Sequence, residues 1–197
     1  MTRSTARPGR GDTPRSHGLP QLKARSSGSA CDGPPSTVWL LITRRAMWTR
    51  FLSDRAWGFH RQSLHRATEL REGDIGLVYL TKEAARLPNG VTAILRISGP
   101  GRLAPGGQAS DFYFYKVPFE PLLSLPSILE FSALAPRLEF VKRRERYGVF
   151  LQGKSAIRLD EGDRREVMRE VGRVVTPTQR RDLARRFHLE VEADHTP

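Results

Sequence analysis

The chain has 197 residues, with 33 Lys+Arg against 21 Asp+Glu, a formal net charge of +12 and a pI near 10.9. A hydrophobic fraction of 38% suffices for one core, and no run of about 18 apolar residues exists to cross a membrane as a helix. The single cysteine, Cys31, excludes an intramolecular disulfide and a cysteine-cluster metal site, while the basic balance makes a polyanion the natural partner.

Residues 1–36 contain no aromatic side chain, scattered Pro and Gly, and a Ser-rich stretch at 25–29. Such a composition buries too little apolar surface to offset chain entropy, so this segment is expected to be a disordered tail. Arg3, Arg7, Arg10, Arg15, Lys23 and Arg25 against Asp12 and Asp32 give it +4. It has no apolar stretch of the secretory type, and its Pro and Gly oppose the amphipathic helix of a mitochondrial leader. It reads as a solvated extension or a misassigned start, and the protein is expected in the cytoplasm. Cys31 has no histidine adjacent to it in sequence and is not expected to be a catalytic thiol.

The folded part opens with Val38–Thr43, a continuous apolar run that predicts a buried strand. Met47, Trp48, Phe51 and Leu52 recur at helical spacing and predict a short amphipathic helix over 45–53. Gly73 and Asp74 turn into a second strand, Ile75–Thr81, and Asn89-Gly90 turns into a third, Val91–Ile97. Two Gly/Pro clusters, at 99–101 and 105–107, flank a loop. An aromatic strand follows at 112–119, in which Pro118 predicts an edge or an end. Leu138–Val141 and Val149–Leu151 read as shorter strands on either side of a basic turn. Asp160 is placed to cap a helix over 161–171, and Thr176-Pro177 to open another through Phe187. Strands dominate, helices are peripheral and no βαβ alternation is evident, which predicts a small α+β barrel over 37–173 with a helical extension at 174–197.

No nucleophile elbow, phosphate-binding loop, dinucleotide fingerprint or zinc-protease helix occurs. His60 and His65 are five apart, a poor spacing for a shared metal. Asp54, Glu69, Glu72 and Asp74 could each act as a base, but no nucleophile is paired with them. The chain is expected not to be an enzyme and to need no cofactor.

What the sequence does contain is aromatic residues among arginines. Trp39, Trp48, Trp57, Phe59, Tyr79 and Tyr147 stand near Arg44, Arg45, Arg55, Arg61 and the basic run Lys142, Arg143, Arg144, Arg146. Aromatic faces stack bases while Arg and Lys neutralise phosphates, so the combination suits a nucleotide. Trp39 and Trp48 read as core. Trp57 stands in a polar stretch, Asp54–Arg61, where Gly58 permits close backbone approach.

These segments, in this order, resemble the EVE domain family, a branch of the PUA-like superfamily related to YTH domains. Val38–Thr43 is similar to its opening strand, Trp57–Gln62 to its tryptophan-containing loop, and Leu70–Tyr79 to its Gly-Asp strand. Tyr115–Pro121, with Lys116 where Arg is common, then Leu138–Val141, Tyr147-Gly148 with Tyr147 where Trp is common, and the helix from Asp160 follow in turn. The resemblance spans about residues 38–172. It implies a PUA-like mixed β-barrel that binds modified bases in DNA or RNA. By that resemblance Thr43, Trp57 and Tyr79 would line a base pocket, and His60 and Arg61 would approach the backbone. The pattern of aromatic and basic residues adds Phe59 to the pocket and Arg44, Lys142, Arg143, Arg144 and Arg146 to the backbone contacts. A protein-interaction module whose arginines are merely compositional, and an enzyme acting on nucleic acid, are the alternative readings.

Overall fold

A computed structural model describes residues 37–81, 89–104, 113–142 and 146–187, all within the unit Gly33–Pro197. The tail 1–36 with Cys31, and Arg143 and Arg144 of the basic turn, lie outside the described residues.

Seven strands form one mixed sheet. β1 (Val38–Thr43) and β3 (Ile75–Leu80) are parallel neighbours, with Val38 opposite Ile75 and Thr43 opposite Leu80. β4 (Gly90–Ile97) runs antiparallel to β3, and β6 (Tyr115–Glu130) antiparallel to β4. β2 (Ala56–Phe59) and β5 (Arg102–Leu103) both pair with the start of β6, and β7 (Ala156–Arg158) pairs with β1. The order is β2-β6-β4-β3-β1-β7, with β5 beside β6. The result is α+β, a curled half-barrel with several helices, as the sequence implies. The parallel pair departs from the expected absence of βαβ alternation. Parallel neighbours cannot be joined by a tight hairpin. The chain therefore crosses from β1 to β3 through α1 (Arg45–Asp54), β2 and α2 (Leu64–Ala67).

Every residue of β1 and β3 is buried, because apolar clusters cover both faces. On one face Trp39, Leu41, Val78 and Leu95 pack with Phe51, Trp57 and Phe59. On the other, Leu40, Leu77 and Ile94 pack with Phe131, Val171 and Leu183, the last from α6 (Pro177–Phe187). This two-sided burial explains why both strands read as unbroken apolar runs. Asp74 ties their starts together. Its buried carboxylate accepts from the Trp39 indole at 2.9 Å, the Arg71 amide at 2.9 Å and the Thr37 amide at 3.2 Å.

Three expectations are corrected. The aromatic strand does not stop at Pro118 but continues for 16 residues as β6, through Pro121 and Pro126. Pro121 adjoins a register shift between Ile94 and Leu95, and Pro126 lies where the ladder skips between Ser124 and Leu129, so neither breaks a regular bond. Leu138–Val141 is an irregular turn, because the amides of Glu139 and Phe140 donate to the Asp163 carboxylate rather than to a strand. Val149–Leu151 belongs to a helix, α4 (Tyr147–Leu151). The helix α3 (Phe131–Leu134) and β7 went unforeseen.

Both C-terminal helices start where their caps predict. In α5 (Glu161–Val174) the Asp160 carboxylate accepts from the Asp163 amide at 2.8 Å. At the start of α6, Thr176 and Gln179 exchange bonds, amide to side chain in each direction, as a capping box.

Candidate nucleic-acid interface

The structure does not bring the four residues assigned to a base pocket together. Trp57 lies in a strand rather than a loop, and is 1% exposed between Trp48, 6.1 Å away by ring centres, and Phe51, 4.9 Å away. Phe59, fully buried, shares that cluster. Thr43, 8% exposed, follows Trp39 and Leu41 on the same face of β1, and its carbonyl accepts from the Thr81 amide at 2.8 Å. Tyr79 points to the opposite face, 2% exposed, and packs edge-on against Phe131.

Tyr79 has its own polar surroundings. Its hydroxyl accepts from Asn89 Nδ2 at 2.8 Å. Burial pushes the phenol up to about 12, opposed by that hydrogen bond and reinforced by nearby Tyr147. Tyr147 also packs on Phe131, and Lys142 and Arg146, which flank the undescribed part of the basic turn, are exposed. The described residues on either side of that run, Val141 and Tyr147, thus pack on the Tyr79 side of the sheet, and the Trp57 strand lies on the other.

A second arrangement stands out on α1 and at the ends of α1 and β2. Arg44, Arg45, Arg50, Arg55 and Arg61 are all exposed, and none has an ion-pair partner among the described residues. The arginines on and beside α5 behave in the opposite way. Arg137, Arg164, Arg165, Arg169 and Arg173 are each bridged to Glu161, Glu166 or Glu170. Three glutamates thus partly compensate the arginines of α5, whereas among the described residues the arginines around α1 and β2 are bare, as are exposed Arg71, Arg102 and Arg158 elsewhere.

Three of the bare arginines, Arg44, Arg50 and Arg61, lie near aromatic side chains. The Arg61 guanidinium lies over the Phe114 ring, 4.8 Å from its centre. The Tyr113 ring sits 4.8 Å from the His60 ring and 5.0 Å from that of Phe51. It lies so close to the backbone of Gly58 that a β-carbon there would meet Tyr113 Cγ at 2.5 Å. Burial raises the Tyr113 phenol, against the pull of Arg50 and Arg44. Beside Tyr113, the Lys116 ammonium pairs with Asp54 at 3.1 Å. Sequence reasoning named Arg44, His60 and Arg61 but missed Tyr113, Phe114, Arg50 and Asp54 as parts of one surface. The alternation of aromatics before β6 was visible; their seat on Gly58 was not.

Among the described residues no three His, Cys, Asp or Glu side chains gather to hold a metal. No described helix is long and apolar enough to cross a membrane.

No protein-family model matches the sequence. The chain is 23% identical over 137 residues to the UPF0310 protein PH1033 of Pyrococcus horikoshii, an alignment covering 64% of this chain and 93% of that protein. Protein Atu2648 of Agrobacterium tumefaciens shares the fold, with a TM-score of 0.52 and 16% identity over 72% of this chain and 97% of its own. Human THYN1, solved in complex with 5-methylcytosine-containing DNA, aligns at a TM-score of 0.48 and 10% identity, over 65% of this chain and 93% of its own.

Proposed function

We propose that this chain, whose fold and relatives are consistent with the EVE domain family, is a non-catalytic nucleic-acid-binding module with DNA or RNA as partner. The observation that carries this reading is a group of unpaired arginines beside the half-buried rings of Tyr113 and Phe114. Arg44, Arg45, Arg50, Arg55 and Arg61 have no carboxylate to neutralise them among the described residues, whereas the arginines of α5 do. Unpaired guanidinium groups around half-buried aromatic rings supply both halves of a nucleotide contact, phosphate neutralisation and stacking.

In the finer form of the reading, a modified base leaves its stack and is held against an aromatic face. Trp57 and Tyr79 are both buried, so Tyr113 and Phe114 supply that face at the rim, where each is half-buried.

The test is fluorescence anisotropy with labelled single-stranded and duplex oligonucleotides across a range of salt. Binding should weaken linearly on a log–log plot, and replacing Arg44, Arg50 and Arg61 by Ala should flatten the single-strand slope by about 2, at roughly 0.7 per phosphate contact. Replacing the paired Arg165 and Arg173 should leave the slope unchanged. Absence of any salt-dependent affinity overturns the reading. For the finer form, matched oligonucleotides with and without a modified base should differ by about tenfold, the worth of a methyl group in a fitting site; equal affinities dismiss it.

A further inference from the structure

The Arg-rich surface contains one acidic side chain in an unexpected place. Asp54, the last residue of α1, lines a notch with Arg50, Phe51, Gly58, Tyr113 and Lys116. The notch has a volume of about 10 Å³, the room of a single water molecule. It is too small for a nucleobase and large enough for an amino group entering from a base laid over its mouth. The Asp54 carboxylate is about one-third exposed. Its Oδ2 accepts from Lys116 Nζ at 3.1 Å, and its Oδ1 has no hydrogen bond among the described residues.

A carboxylate at this position repels phosphate, so it is poorly placed for the backbone contacts made by its arginine neighbours. What it can accept is a neutral N–H donor. Lys116 engages one oxygen, and the other remains available beside a ring that lies directly on the Gly58 backbone. We infer that the Asp54–Tyr113 notch selects bases that carry an exocyclic amine, with Tyr113 as the stacking face and Asp54 as the acceptor. Cytosine offers its N4 amine, adenine its N6 amine and guanine its N2 amine; carboxylates accept from such groups in base recognition. Thymine and uracil present only an imide N–H flanked by two carbonyl oxygens, which face the carboxylate unfavourably.

This inference rests on the nucleic-acid reading and is tested apart from it. Single-stranded oligo-dC and oligo-dT of equal length are titrated against the full chain and its Asp54→Asn and Asp54→Ala variants, with circular dichroism confirming the fold of each. The wild type should bind oligo-dC about tenfold more tightly than oligo-dT. Asp54→Asn, whose amide both donates and accepts, should bring the two within about threefold. Removing the negative charge should strengthen, not weaken, its binding to oligo-dT. Asp54→Ala should lose the preference in the same way. If the wild type binds neither oligonucleotide at low salt, the nucleic-acid reading falls and takes the notch with it. If it binds both equally, or if its preference survives both substitutions, the reading stands and the notch assignment is overturned.

Discussion

The Tyr113 ring rests directly on the backbone of Gly58, leaving 2.5 Å between its Cγ and the point where any other residue would place a β-carbon. The glycine is therefore the surface on which an aromatic ring is laid, within the field of Arg44 and Arg50. The nearest atoms belong to the base of the ring and to its Cβ, and cannot swing aside like a flexible tip. Gly58→Ala should push Tyr113 off β2 at a cost of about 1–3 kcal/mol, in the range of overpacking. For a chain of this size each kcal/mol lowers Tm by roughly 2–4 °C. Thermal melting of the variant checks this, and an unchanged Tm means that the ring has another seat.

Trp57 invites a different expectation from the one its sequence surroundings suggest. Its indole is 1% exposed and lies between Trp48 and Phe51. Trp57→Ala should open a cavity in the core and cost about 3–5 kcal/mol. Urea unfolding of the variant should show a midpoint far below that of the wild type. A variant of native stability with altered base preference restores Trp57 to the binding face.

The parts legible from sequence were those with local signals. β1 and β3 announce themselves as apolar runs, and α5 through a cap in which Asp160 accepts from Asp163, three residues on. The stretch 138–141 is just as apolar, but its amides are taken by a carboxylate 23 and 24 residues away, which no local pattern reveals. The same limit applies to the site. Residue types point to phosphates, yet Arg137 is neutralised by Glu170, 33 residues away, while Arg50 has no such partner among the described residues. Which arginines are available is a property of packing, and so is the choice of Tyr113 over Trp57 as the accessible aromatic.

The Asp163 carboxylate is one of few buried charges, and its position has a measurable consequence. It receives the Glu139 amide at 2.6 Å and the Phe140 amide at 3.2 Å, fixing the segment that leads into the basic turn. Asp163→Ala leaves two part-buried N–H groups without their acceptor, at about 1–3 kcal/mol for each that stays dry. The variant should unfold at lower urea. Amide exchange should quicken at Glu139 and Phe140 more than in β1 or β3; uniform acceleration across the chain argues against a local clamp.

Tyr79 supplies a prediction at high pH. Its phenol is raised to about 12, chiefly by burial, with the Asn89 bond opposing and Tyr147 adding to the shift. An ordinary tyrosine ionises near 10. Because the folded-state value is the higher one, the contribution to stability is complete below about pH 10 and disappears as pH rises through about 12. Charging the group in place sets a phenolate among Phe131, Leu77 and Val91, so unfolding should accompany its ionisation. A tyrosinate absorbance titration of the wild type should show a late phase near pH 12, joined to loss of tertiary circular dichroism. Tyr79→Phe should remove that phase. The same variant should be less stable at neutral pH by about 1 kcal/mol, because the Asn89 amide loses its acceptor. Should the late phase persist in Tyr79→Phe, the high-pH transition belongs to another tyrosine, and Tyr113, also raised by burial, is the next to replace.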